Sequence, residues 1–201
     1  MSKLTIGVES SRKKPFDSTR CKKGSIVPLI VANKIWINGH FETEENGLVA
    51  WWISQFRPGI YGIQISAKQE MVHIKHLEHL RRAAVLHVKG HTDVDETTIL
   101  EFRGTCLRID DWSKPNYDGM TLLSVLENYI EDGEKQDLII NNKWIDYEFW
   151  KPVEEFLRLL VDDFEFDSDE HRLFFSYHFR RFQLIVECLP GHFSVQILVP
   201  S

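Results

Sequence analysis

Cysteine is scarce in this chain: Cys21, Cys106 and Cys188 are three among 201 residues. An odd, scattered set excludes a disulfide framework and a four-cysteine zinc site, and it suits a reducing compartment. Long apolar runs are missing as well. "IVPLIVA" and "LVAWWI" fall far short of the roughly 20 residues that span a bilayer, and the opening "MSKLTIGVESSRKK" has no apolar leader. The expectation is a cytoplasmic protein with no membrane contact. Phosphate-cradling P-loops, G-x-S-x-G elbows and G-x-G-x-x-G fingerprints are also absent. No cofactor is implied and no catalytic set stands out, which favours a non-enzyme.

What is present is an ordinary globular composition, 43% hydrophobic and 27% charged, which excludes wholesale disorder. The net charge of −6 hides a segregation. Residues 1–90 hold 14 Lys+Arg against 7 Asp+Glu, a balance of +7, and residues 91–201 hold 10 against 23, a balance of −13. Such asymmetry points to a surface whose field steers partners of the opposite sign, unless the halves face each other and cancel.

The pattern along the chain predicts an α+β fold: a mixed or mainly antiparallel sheet carrying about three to four helices, ending in a three-stranded antiparallel meander. A strand at 4–8 precedes a basic loop or arm, and residues 1–24 are separated on that ground from a single α+β domain over 25–201. The charge shift near 90 is the one pointer to a sub-boundary. Strands are expected near 25–32 and 34–38, with Asn38-Gly39 as a hairpin turn and a short strand after it, then at 59–66. A helix over 69–82 follows, then strand-like "AVLHVKG". The alternation in "TTILEFRGTCLRID" suggests two strands meeting at Gly104. Asp118 caps a helix that ends at Gly133, and Pro152 opens the next, with Glu154 and Glu155 near its N-terminus. Nothing between those two helices reads as a strand. "HRLFFSYHF", "RFQLIVECL" and "HFSVQILV" form the meander. Strict βαβ alternation is missing, which argues against a doubly wound parallel sheet.

Histidine clusters invite a metal reading. His73, His76 and His79 recur every three residues on the expected helix, and at about 100° per residue the outer two lie about 120° apart, too far round the axis to grip one ion. They flank the apolar stripe of Ile74, Leu77 and Leu80, and no metal site is assigned. His91, Asp93, Asp95 and Glu101 form a looser set that could serve a divalent-metal phosphoesterase or nuclease. Arg103 stands where such enzymes use a lysine, and a solvated turn explains the same residues. "HFS" at 192–194 is half of a paired His-x-Ser signature whose other half is absent. Cys106 and Cys188 sit in apolar, strand-like contexts, as buried inert thiols would.

Two charged tracts remain. Arg12, Lys13, Lys14, Arg20, Lys22 and Lys23 could contact phosphates, and "FRRF" at 179–182 could stack on bases, but the acidic balance elsewhere opposes extended nucleic-acid binding. Asp162, Asp163, Glu165, Asp167, Asp169 and Glu170 crowd six carboxylates into nine residues. The function expected is therefore an interaction module of inhibitor, immunity or regulatory type. Its acidic C-terminal half would bind a basic surface of another protein, anchored by whichever of Trp112, Trp144 and Trp150 are exposed.

Overall fold

A computed structural model of the chain describes residues 5–9, 34–39, 62–67, 83–134, 136–160, 165–167 and 171–199. The described strands join one mixed sheet in the order β1-β2-β3-β4-β5-β6-β10-β9-β8-β7. They are β1 Thr5–Glu9, β2 Lys34–Gly39, β3 Gly62–Ala67, β4 Val85–Gly90, β5 Cys106–Asp111, β6 Asp137–Asn141, β7 Glu165–Asp167, β8 Arg172–His178, β9 Gln183–Leu189 and β10 His192–Leu198. Strands β2 to β6 run parallel in sequence order. β1 closes one side antiparallel, and β10, β9, β8 and β7 continue the other side antiparallel. The chain is thus α+β, with the expected C-terminal meander in β8, β9 and β10.

Period-two alternation builds the core. Leu86, Leu107, Leu138, Val195, Val186 and Phe175 are register partners across six strands, and Val88, Ile109, Ile140, Phe193, Cys188 and Leu173 form the next row. Every one of these is buried. Three described helices feed the same core: α1 Glu96–Leu100 through Ile99, α2 Gly119–Asp132 through Leu122, Val125 and Leu126, and α3 Tyr147–Leu160 through Trp150, Val153 and Leu157. The steps of three and four in the last two sets put those residues on one helix face. No described helix is long and apolar enough to cross a membrane.

α2 forms as its residues dictate. Asp118 accepts from the Thr121 N–H at 3.0 Å, Thr121 Oγ1 accepts from the Asp118 N–H at 3.4 Å, and Gly133 ends the helix at φ 60°. Only a residue without Cβ adopts that left-handed cap cheaply.

Several expectations are corrected. The predicted strand around 99–103 is replaced by the end of α1 and a turn, because Asp95 accepts from the Thr98 N–H at 2.8 Å and starts a helical turn. Gly104 marks a close approach, since a Cβ there would lie 2.2 Å from the Ala83 carbonyl oxygen. Asn38 and Gly39 are no hairpin turn: they end β2, paired with Ser66 and Ala67 of β3. Pro152 lies inside α3, which begins at Tyr147 with the Asp146 carboxylate accepting from the Phe149 N–H at 3.1 Å. Glu154 is consequently mid-helix and buried, held by Arg158 at 2.6 Å. β6 was not anticipated at all. The predicted strand at 25–32, the short strand after Asn38-Gly39, and the helix over 69–82 with His73, His76 and His79 lie outside the described residues.

Candidate functional site

Parallel strands end at the same edge of a sheet, so the loops after β4, β5 and β6 meet there, and this is the edge at which α/β sheets present ligand-contacting loops. Loop 91–95 follows β4, loop 112–118 follows β5, and loop 142–146 follows β6. β10 begins beside them, with His192 paired to Asn141.

Buried polar groups brace the three loops together. Asp111 is buried, and its carboxylate accepts from Thr92 Oγ1 at 2.8 Å and from the Ser113 N–H at 2.8 Å. The Trp112 N–H donates to the Gly90 carbonyl at 3.0 Å. Asn142, also buried, donates from Nδ2 to the Ser113 carbonyl at 2.9 Å and accepts from the Trp144 N–H at 3.0 Å. Its backbone N–H donates to Gly191 at 2.9 Å, and the Gly191 N–H donates to Ile145 at 2.7 Å. The Asn142 side chain therefore links the loops after β5 and β6, and backbone hydrogen bonds on either side of Gly191 tie the β9–β10 turn to them. Satisfied buried networks of this kind rigidify what they join.

The braced loops present aromatic groups outward. Trp112 is 43% exposed and Trp144 is 50% exposed. His91 stands edge-on to Trp112 with ring centroids 5.7 Å apart, and its Nδ1 lies 3.2 Å from Ser113 Oγ. Lys143 places its ammonium 5.3 Å from the centre of the Trp144 ring, a cation–π distance. Met120, 56% exposed at the start of α2, adds apolar surface. Behind them Tyr117 is buried, and burial together with the charge of Asp111 pushes its hydroxyl pKa far up. It serves as a packed ring, edge-on to Phe149 at 6.0 Å.

The predicted site residues divide. Trp112 and Trp144 come to this edge, whereas Trp150 is fully buried and drops out of the exposed set. Asp93 is buried, Asp95 caps α1, and Glu101 is exposed just beyond that helix. Among the described residues no three His, Cys, Asp or Glu side chains gather around one point, so His91, Asp93, Asp95 and Glu101 are not assembled as a metal centre. Asp162, Asp163, Asp169 and Glu170 lie outside the described residues, as do Arg12, Lys13, Lys14, Arg20, Lys22 and Lys23. The backbone at Glu165 and Asp167 forms β7 against β8. Phe179 and Phe182 of "FRRF" stack on each other at 4.7 Å. The Cys188 thiol is buried, and burial with the charges of Glu187 and Glu154 raises its pKa well above the usual range; half-buried Cys106 is raised by burial and Asp137, partly offset by Arg108.

Asp111, Thr92 and Asn142 were not anticipated. "INNKWID" offered a signal, an Asn-rich turn beside an aromatic, but its meaning depends on β6, which the sequence pattern did not reveal. Compared with protein-family models, curated proteins and solved structures, the chain matches none.

Proposed function

We propose that the protein is a non-enzymatic interaction module of inhibitor, immunity or regulatory type, acting in the cytoplasm, which binds a basic surface of another protein. The observation that carries this reading is the pair of exposed tryptophans on loops cross-braced by buried Asn142. Aromatic side chains held rigid before binding lose little conformational entropy when a partner covers them, and tryptophan is enriched among the residues that dominate binding energy. Lys143 over the Trp144 ring supports a basic partner: the ring face already takes a cation, and an incoming Arg or Lys can take its place.

Charge supports the same partner. The second half of α2 and the residue after its cap expose Glu127, Glu131, Asp132 and Glu134, and α2 contains no Lys or Arg. Together with the tract from Asp162 to Glu170, this field accelerates encounter with a cationic surface. The test measures association with a partner retained at low salt and released at high salt. Trp112→Ala with Trp144→Ala should raise the off-rate at least tenfold, and reversing Asp162, Asp163, Asp169 and Glu170 to Lys should lower the on-rate and flatten its salt dependence. Unchanged kinetics in both variants would overturn the reading.

A further inference from the structure

On the sheet side opposite the two apolar rows, the alternate residues form a polar ladder over five strands. His87 Nε2 donates to Asp110 Oδ2 at 2.6 Å, Arg108 Nε donates to Asp110 Oδ1 at 3.2 Å, and Asn141 Nδ2 donates to that same oxygen at 2.5 Å. Asn141 Oδ1 lies 2.7 Å from His192 Nδ1, and His192 Nε2 lies 3.8 Å from Glu187 Oε2.

Protons in this ladder are dictated from one end. Burial alone would raise the Asp110 pKa, but hydrogen bonds from Asn141 and His87 and the charges of His87 and Arg108 bring it below the usual carboxylate value. An ionised carboxylate has no hydrogen to give, so the nitrogen of the Asn141 amide must face it. The amide oxygen must then face His192, and Nδ1 must carry the ring hydrogen. In the neutral imidazole this leaves Nε2 with a bare lone pair, and its neighbour Glu187 is also an acceptor. The 3.8 Å gap is longer than a hydrogen bond. Zinc bonds to nitrogen and to oxygen are each about 2.0–2.2 Å, so one ion can reach both atoms at an open angle, and a small rotation of the half-exposed Glu187 brings that angle to the tetrahedral value.

We propose that His192 Nε2 and the Glu187 carboxylate chelate a divalent transition cation of the zinc type, with water in its remaining positions. One imidazole and one carboxylate are a borderline donor set that prefers zinc, nickel or copper to magnesium or calcium. Asn141 and, through it, Asp110 act as positioning residues. A metal-bound histidine characteristically donates its other N–H to a fixed acceptor, which sets the tautomer and the ring plane. His192 directly follows Gly191, whose N–H and C=O hold the Trp144 loop, so the ion would sit beside the interaction edge.

The experiment is a titration of the full chain with Zn²⁺ at pH 7.5, followed by side-chain imidazole NMR, because other histidines respond separately there. The His192 signals should shift saturably, with ¹⁵N shifts reporting metal on Nε2. Glu187→Gln should weaken that response tenfold or more. His192→Gln should remove it while the remaining histidines keep theirs. Asn141→Leu should weaken binding about tenfold and mix the tautomers of the free His192 ring, a change that general loosening of the fold would not confine to one imidazole. The proposal is overturned if His192 is unmoved at millimolar Zn²⁺, if its ¹⁵N pattern shows an imidazolium with a proton as the only cation, or if the response survives Glu187→Gln undiminished.

Discussion

Asn142, from the end of β6, donates to the Ser113 carbonyl beyond β5 at 2.9 Å while its own carbonyl oxygen takes the Trp144 N–H at 3.0 Å. Asn142→Ala leaves two backbone groups without that partner in a part-buried setting, which costs about 1 kcal/mol. Urea denaturation should show a lower midpoint with an unchanged slope, and fluorescence anisotropy should show faster motion of Trp112 and Trp144. An unchanged midpoint and anisotropy would mean that the bracing is not what orders these loops.

The tryptophans should separate sharply. Trp150 is fully buried in the core, so Trp150→Ala should cost about 3–5 kcal/mol. Trp112→Ala and Trp144→Ala should each change stability by about 0.5 kcal/mol or less, as exposed positions do. Chemical denaturation of the three variants checks the contrast, and similar losses in all three would remove the basis for treating two of them as binding groups.

A tight approach between α2 and α3 rests on a glycine. A Cβ added at Gly119 would lie 2.0 Å from the Phe149 carbonyl oxygen and 3.2 Å from Pro152 Cδ. Backbone cannot move aside as the end of a flexible side chain can, so Gly119→Ala should cost about 1–3 kcal/mol although alanine is the better helix former. Thermal melts read the outcome, and a stabilised variant would show that the two helices are free to separate.

Asp110 makes stability depend on acid. Its folded pKa is lowered, so the unfolded chain takes up the proton first as the pH falls. Its contribution is complete above the unfolded carboxylate value of about 3.9 and is lost as the pH falls through the lower, folded value. Melting temperatures followed from pH 7 to pH 3 should fall more steeply below about pH 4 in the wild type than in Asp110→Asn. Parallel curves would indicate that Asp110 is not held as an ion by His87, Arg108 and Asn141.

Some of this was legible from residue order and some was not. α2 announced itself because Asp118 and Gly133 solve local problems, an unsatisfied first turn and a left-handed exit, and neither solution needs distant residues. The meander was readable for the same reason, since Leu184, Val186 and Cys188 alternate within one strand. β6 was not readable. Its three apolar residues make too short a run, and its hydrogen-bonding neighbours are β5 and β10, the latter more than fifty residues away in sequence. Without β6 the β5-α2-β6 unit disappears, and with it the reason for three loops to gather at one edge. α1 was misread because alternation from Ile99 to Arg103 imitates a strand, while the deciding contact is the Asp95 cap. Exposure of Trp112 and burial of Trp150 are likewise outcomes of packing.

Placement of a photo-crosslinking amino acid at position 112, at position 144 or, as a control, at Phe174 in β8, three strands away from β6 in the sheet, tests the interaction edge most directly. Phe174 is 47% exposed, so accessibility is matched. Illumination in the native mixture at low salt should join positions 112 and 144 to one basic protein, with the adduct lost at high salt and position 174 unlabelled. Equal labelling at all three positions, or labelling at 174 alone, would contradict the assignment of Trp112 and Trp144 as the binding edge.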